Sequence, residues 1–280
     1  MNEIPTTNAS SGTCELPDVL QRIVARTRLD VEHRSTLMSL KEISSRAREM
    51  PFEPRGFGQA LKEKTAQRSI GLIAEVKKAS PSAGMLREHY DPVSIARSYE
   101  AAGAACLSVL TESSCFHGSL EDLTAVRAAT SLPVLRKDFM CDPWQIYESR
   151  LHGADCILLI MAILTDEEAA DLLDHAKGLE MDVLVEVHSE EELNRALALD
   201  TSLLGINNRD LKALKTDLET TIRLAPLVPP DRVIVSESGI ATPEDIRRLR
   251  DVGASGFLIG ESLLRQDDPG EAARKLLSGV

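Results

Sequence analysis

Eight short apolar segments recur between residues 69 and 262, a rhythm that few folds can absorb. They are SIGLIAEVK (69–77), CLSVLTE (106–112), PVLRKD (133–138), DCILLIM (155–161), DVLVEVH (182–188), LLGINN (203–208), RVIVSES (232–238) and GFLIGES (256–262). Each has the length and branched-aliphatic content of a buried strand, and helical stretches separate them, as in βα units around a parallel sheet. Corresponding strand ends recur every 21 to 35 residues. The intervening segments PVSIARSYEAAGA (92–104), DPWQIYESRLHGA (142–154) and TPEDIRRLRDVGA (242–254) share one punctuation, a proline at the start and Gly-Ala at the end. Eight near-equal units favour closure and predict an α/β fold, a (β/α)8 TIM barrel. An open doubly wound sheet is the alternative, weakened because no G-x-G-x-x-G follows the first segment.

The chain has 280 residues, somewhat more than one such barrel needs and far fewer than two. Upstream of the repeats, VLQRIVARTRLDV (19–31) and LMSLKEISSRA (37–47) place apolar residues at helical spacing. The expected organisation is an N-terminal helical extension over residues 1–50, packed on a catalytic barrel domain over residues 51–280. The first fifteen or so polar residues are expected to fray. Residues 1–50 balance seven basic against seven acidic side chains, so the net charge of −12 sits on the barrel. That field disfavours nucleic acid and anionic membrane surfaces as partners. Five cysteines (Cys14, Cys106, Cys115, Cys141 and Cys156) with no C-x-x-C pair read as reduced thiols in a cytoplasmic protein. The start shows no signal-peptide pattern, and the longest apolar run, CILLIMAIL (156–164), is too short to span a bilayer. Six scattered histidines give no metal-ligand spacing, so no metal site is expected.

In a barrel of this kind the C-terminal strand ends and the loops after them build the functional site. Glu75 and Lys77, two apart, point to the same side of the first strand, and Lys137, Glu186, Asn207 and Glu237 each end a different strand. Ion pairs that merely cap the core would explain any one of these. Six converging polar groups exceed what a stability-driven barrel would place there. Lysines and glutamates in a partly dry cavity perturb one another's proton affinity, which equips a site for general acid/base chemistry. Gly239 and Gly260 sit where the chain leaves the last two strands, the position at which many barrels bind phosphate, with Glu261 adjoining. The loop SPSAGMLREHYDP (80–92) is long for a βα connection and is expected to act as a lid, with Ser80 and Ser82 in reach of the same phosphate. His188 reads as a residue behind the site or at the surface, and Cys141 has little beyond its location to mark it as reactive.

Together AEVKKASPSAG (74–84), LRKDF (135–139), LVEVH (184–188), GINNRDL (205–211), VSESGI (235–240) and FLIGESLL (257–264) resemble the indole-3-glycerol-phosphate synthase family, from about residue 17 to the end. The resemblance implies a (β/α)8 barrel with an N-terminal helical segment. It implies conversion of 1-(2-carboxyphenylamino)-1-deoxyribulose 5-phosphate to indole-3-glycerol phosphate, with loss of carbon dioxide and water, in tryptophan biosynthesis and without cofactor or metal. By the family pattern Lys137 is the general acid and Glu186 the second acid/base residue. Glu75 and Lys77 assist proton transfer, while Asn207 and Glu237 position substrate hydroxyls and the lysine. Arg209 matches a residue near the substrate carboxylate. Ser80, Ser238, Gly239, Gly260 and Glu261 match the phosphate site, and Phe116 and Phe139 flank the aromatic ring. Two departures stand out: Cys115 precedes Phe116 where a second Phe is expected, and Glu261 replaces a frequent Ser. The expected partner is a small phosphorylated substrate, for a monomer or weak dimer. A class I aldolase using Lys137 or Lys77, or a barrel kept only for binding, are the rival readings.

Overall fold

The computed structural model describes residues 18–210 and 215–280; the opening polar segment with Cys14, and Leu211 of the GINNRDL motif, lie outside the described residues. Eight parallel strands close on themselves: β1 Gly71–Val76, β2 Cys106–Leu110, β3 Val134–Lys137, β4 Cys156–Ile160, β5 Asp182–Val187, β6 Leu203–Asn207, β7 Val233–Glu237 and β8 Gly256–Ile259. Each pairs with its sequence neighbours, and β1 pairs with β8 from Gly71↔Gly256 to Ala74↔Ile259, which leaves the barrel no open edge. The strands are buried almost throughout, on the inner face by the barrel interior and on the outer by helices, so they read as continuous apolar runs. All eight lie within the expected segments. The last was expected to reach Ser262, but it stops at Ile259: the backbone turns at Gly260 (φ −131°, ψ −68°) and a helix begins at Glu261.

The helices are α1 Asp18–Leu37, α2 Leu40–Arg48, α3 Phe57–Ala66, α4 Pro92–Ala102, α5 Leu120–Ala129, α6 Pro143–Leu151, α7 Asp166–Lys177, α8 Glu190–Leu197, α9 Glu219–Leu224, α10 Pro243–Asp251, α11 Glu261–Leu264 and α12 Pro269–Ser278. The prolines seen in the sequence occupy the first helical turn, behind an N-cap side chain. Asp91 accepts from the amides of Val93 and Ser94, Asp142 from Trp144, and Thr242 from Asp245. Each such cap stabilises its helix by about 1 kcal/mol. Helices α1 and α2 dock on the outer layer. Arg34 pairs with Glu148 of α6, the Trp144 ring N–H donates to Met38 O (2.8 Å), and Arg28 meets Glu168 of α7 (3.1 Å). Among the described residues no helix is long and apolar enough to cross a membrane.

Helix α3 falls between the two regions that the sequence made legible. Only Phe57, Gly58 and Leu61 of its ten residues are buried, a stripe too narrow to announce an amphipathic helix. It lies under the N-terminal mouth of the barrel, where the Gly58 amide donates to Asp182 Oδ2 (2.9 Å) at the start of β5. Just upstream, the Arg55 amide donates to Asp155 Oδ1 (2.9 Å), whose other oxygen takes the Val134 amide (2.8 Å), while Arg127 completes the cluster at 3.1 Å. Asp155 is fully buried. Asp155→Ala removes one partner from a buried charge cluster and strands two backbone amides, so urea unfolding should show a loss of roughly 3–5 kcal/mol. A loss below 1 kcal/mol would contradict this account of the barrel floor.

Candidate active site

The opposite mouth opens on a cavity of about 540 Å³, and all fourteen residues singled out from the sequence line it. The inward alternation of the strands accounts for the convergence, since residues two apart on β1 and the last residues of β3, β6 and β7 share one face. The Lys137 ammonium sits between two carboxylates, 2.7 Å from Glu237 Oε2 and 3.1 Å from Glu186 Oε2. Lys77 pairs with Glu75 beside them. Asn207 Oδ1 accepts the Arg209 amide (3.0 Å), which orients the start of the β6 loop. Phe116 and Phe139 face one another with ring centroids 6.3 Å apart.

Burial disfavours the charged form of Lys137, but Glu237 and then Glu186 outweigh it and hold the ammonium above the ordinary lysine range. Burial also disfavours ionised Glu186, yet Lys137 and His188 together hold its carboxyl below the usual range. Glu237 has only Lys137 to offset burial and the repulsion of Glu186, so it is pushed up to about 7. One lysine cannot neutralise two buried carboxylates, and the proton settles on the one with fewer cations.

Glycine sets the fit around these groups. A Cβ on Gly205 would collide with Glu237 Oε1, and one on Gly260 with Glu75 Oε1. After β7 the chain turns through consecutive left-handed residues, Ser238 (φ 67°) and Gly239 (φ 79°). Ser262 Oγ donates to Ile240 O (2.8 Å), joining the β7 and β8 loops. Glu261 is paired with Arg265 (2.9 Å) and lies 3.6 Å from Arg209, so three charged groups at this rim sum to one positive charge. The loop after β1 carries a small hairpin, Ala79–Ser80 against Gly84–Met85. Ser82 accepts from Arg209 (2.6 Å), and Arg87 donates to the carbonyls of Leu264, Gln266 and Asp267.

Several contributors escaped the sequence reading. Asn208 is buried and braces the end of β7: its Nδ2 donates to Ser236 Oγ, Glu237 O and Ser238 O, while Oδ1 accepts from Thr221. The doubled asparagine of GINN was its only signal. Val19, Leu20 and Ile23 of α1 form part of the cavity wall. His188 stands behind Glu186, one of its two expected placements, with Nε2 3.2 Å from Glu186 Oε1. Cys141 is buried and its thiol is pushed up to about 11, so nothing marks it as reactive.

A family model described as indole-3-glycerol phosphate synthase matches residues 20–276. The chain belongs to the indole-3-glycerol phosphate synthase family. It is 52% identical to the indole-3-glycerol phosphate synthase of Rhodospirillum rubrum, across 94% of this chain and 100% of that one. With the enzyme of that name from Azospirillum brasilense the identity is again 52%, over 94% and 100% of the two chains. Among solved structures, tryptophan synthase subunit alpha from Legionella pneumophila superposes with a TM-score of 0.57 at 18% identity, covering 81% of this chain and 97% of that one, a likeness of fold.

Two outcomes follow from the charges and the close fit. His188 is pushed up to about 10 from an ordinary 6.5, and Glu237 to about 7 from 4.5. Both raised groups stabilise the fold below their unfolded values and lose that contribution as pH rises through their folded ones. Unfolding free energy should therefore fall between about pH 4.5 and pH 10, first through Glu237 and then through His188, by an amount on the order of a few kcal/mol. Guanidinium titrations giving a flat profile would oppose this assignment. In Gly205→Ala the added methyl displaces the Glu237 carboxylate from Lys137. Turnover of the family's substrate should drop roughly 10- to 100-fold with the circular-dichroism spectrum unchanged; wild-type turnover would show that the contact does not matter.

Proposed function

We propose that this cavity closes the ring of 1-(2-carboxyphenylamino)-1-deoxyribulose 5-phosphate to give indole-3-glycerol phosphate, with loss of carbon dioxide and water. Family membership supports the substrate, and the Lys137 ammonium held between Glu186 and Glu237 carries the chemistry. Lys137 protonates the substrate's carbonyl oxygen as the ring carbon bearing the carboxylate bonds to the carbonyl carbon. Carbon dioxide then leaves from that carbon and the ring regains aromaticity. Dehydration needs a proton taken up at the departing hydroxyl and another removed from the ring CH2 carbon beside the nitrogen, so that the C=C bond of the indole forms and the N–H is kept. Glu186 and Glu237 flank the lysine to exchange them, with Glu75 and Lys77 assisting and Asn207 holding hydroxyls.

Phe116 and Phe139, tilted against one another, flank the aromatic ring, and Arg209 offers its guanidinium fork to the carboxylate. Ser80, Ser238, Gly239, Gly260 and Glu261 receive the phosphate through the loops after β1, β7 and β8, the last by its backbone amide. Pairing of the Glu261 side chain with Arg265 and Arg209 keeps its charge from repelling that anion. Residues 51–280 form the catalytic barrel, and residues 1–50 an extension that completes the cavity through α1. Residues 80–91 close over the bound substrate. The protein acts as a monomer or weak dimer in the cytoplasm: one chain supplies every group around the cavity, and Cys106, Cys115, Cys141 and Cys156 are free thiols.

An aldolase-type Schiff base needs a neutral amine, whereas Lys137 is held as an ammonium. The test is conversion of the carboxyphenylamino-deoxyribulose phosphate to a product with indole fluorescence. Lys137→Ala should lower turnover roughly 10²- to 10⁴-fold while retaining affinity for the reduced, unreactive substrate analogue. Full activity in that variant, or a borohydride-trapped lysine adduct in the parent protein, would overturn the assignment.

A further inference from the structure

His188 follows the last residue of β5 and stands behind Glu186, between two acids. Nε2 lies 3.2 Å from Glu186 Oε1, and Nδ1 lies 3.1 Å from Glu192 Oε2 in the first turn of α8. Glu192 also accepts the His188 backbone amide (2.8 Å), so one carboxylate fixes both ring and main chain. The ring is 9% exposed. Five groups then alternate in sign: Glu237, Lys137, Glu186, His188 and Glu192.

The charged groups that face the ring are Glu186 on its own strand, with Lys137 of β3 beyond it, and Glu192 from α8. Arg195, further along α8, is engaged by Asp166 and by the carbonyls of Met161 and Leu164. A neutral imidazole has one N–H and one lone pair, so it would turn a lone pair on one of the two carboxylates in a buried setting. Only the doubly protonated ring presents an N–H and positive charge to both. We propose that His188 is a positioning residue: as an imidazolium clamped by Glu192, it faces one oxygen of Glu186 and holds that group as an anion beside Lys137, ready to accept a proton. The electrostatic balance at Glu186 and Glu237 runs the same way, the first held low and the second raised.

This inference rests on the assignment of Lys137 and its two glutamates to the ring-closing reaction, and its first measurement needs no substrate. In ¹⁵N-histidine-labelled protein, both ring nitrogens of His188 should be protonated at pH 7.5. Glu192→Gln, which keeps shape and removes charge, should lower the ring's titration midpoint by at least one pH unit. The alkaline limb of kcat/KM should descend with it, and KM at pH 6 should stay within twofold. His188→Asn should lower kcat roughly 10- to 100-fold at pH 7 with KM changed less than threefold. A neutral ring at pH 7.5 would overturn the proposal. So would a Glu192→Gln protein whose ring titration moves while its pH–rate profile overlays that of the parent. A protein with the imidazolium but no turnover would instead refute the reading of the reaction. Should His188→Asn fail to fold, Glu192→Gln decides alone.

Discussion

An ammonium sunk into the mouth of a barrel must find counter-charge, and the arrangement around Lys137 follows from that need. Moving such an ion out of water costs several kcal/mol, which Coulomb attraction offsets only when oxygens lie within hydrogen-bond reach. Glu237 at 2.7 Å and Glu186 at 3.1 Å supply them. Two carboxylates around one cation create a new imbalance, and His188 relieves it from the far side of Glu186. A firmly protonated Lys137 and a Glu237 carboxyl of raised proton affinity result from the same electrostatics that make the burial tolerable. Stability and reactivity are here one set of contacts.

Such contacts work only if the scaffold holds oxygens to within a fraction of an ångström. Closure of β1 on β8 supplies the coarse placement, and Asn208 the fine. With five polar contacts among Ser236, Glu237, Ser238 and Thr221, it fixes the strand that carries Glu237 and the left-handed turn that follows. Gly205 and Gly260 do the complementary task, leaving space for two glutamate side chains against neighbouring backbones. Their small size reflects inward packing as well as turn geometry.

The sequence made the barrel legible because strand periodicity and helix punctuation are local properties. Pro92, Pro143 and Pro243 mark helix starts through φ restriction, and runs such as CILLI mark strands covered on both faces. Rim residues were legible for the same reason, since a polar side chain at the end of an apolar strand is conspicuous. Helix α3 was not, because its stripe of Phe57, Gly58 and Leu61 makes sense only beneath the barrel. The partners of His188 were not legible, because they lie on two elements and a lone histidine after a strand carries no sign of them. Glu261 looked discordant with phosphate until Arg265 and Arg209 stood beside it.

Helix α1, ahead of the repeat, has its own logic in the strand that bears Lys137. Period two sends Lys137 inward and Arg136 and Asp138 outward. Arg136 is fully buried, bound to Asp138 Oδ2 (3.0 Å) and Glu148 Oε2 (3.0 Å), and Glu148 is in turn held by Arg34 of α1. The extension thus terminates a buried charge chain that would otherwise end on an unmatched carboxylate at α6. At its other end the same helix lays Val19, Leu20 and Ile23 against the cavity. An apolar wall there excludes water, and with a lower local dielectric each charge around Lys137 acts more strongly on its neighbours. Helix α1 therefore bears on the lysine twice, from behind through charge and from above through solvent exclusion, which gives the extension a part in the chemistry as well as in packing.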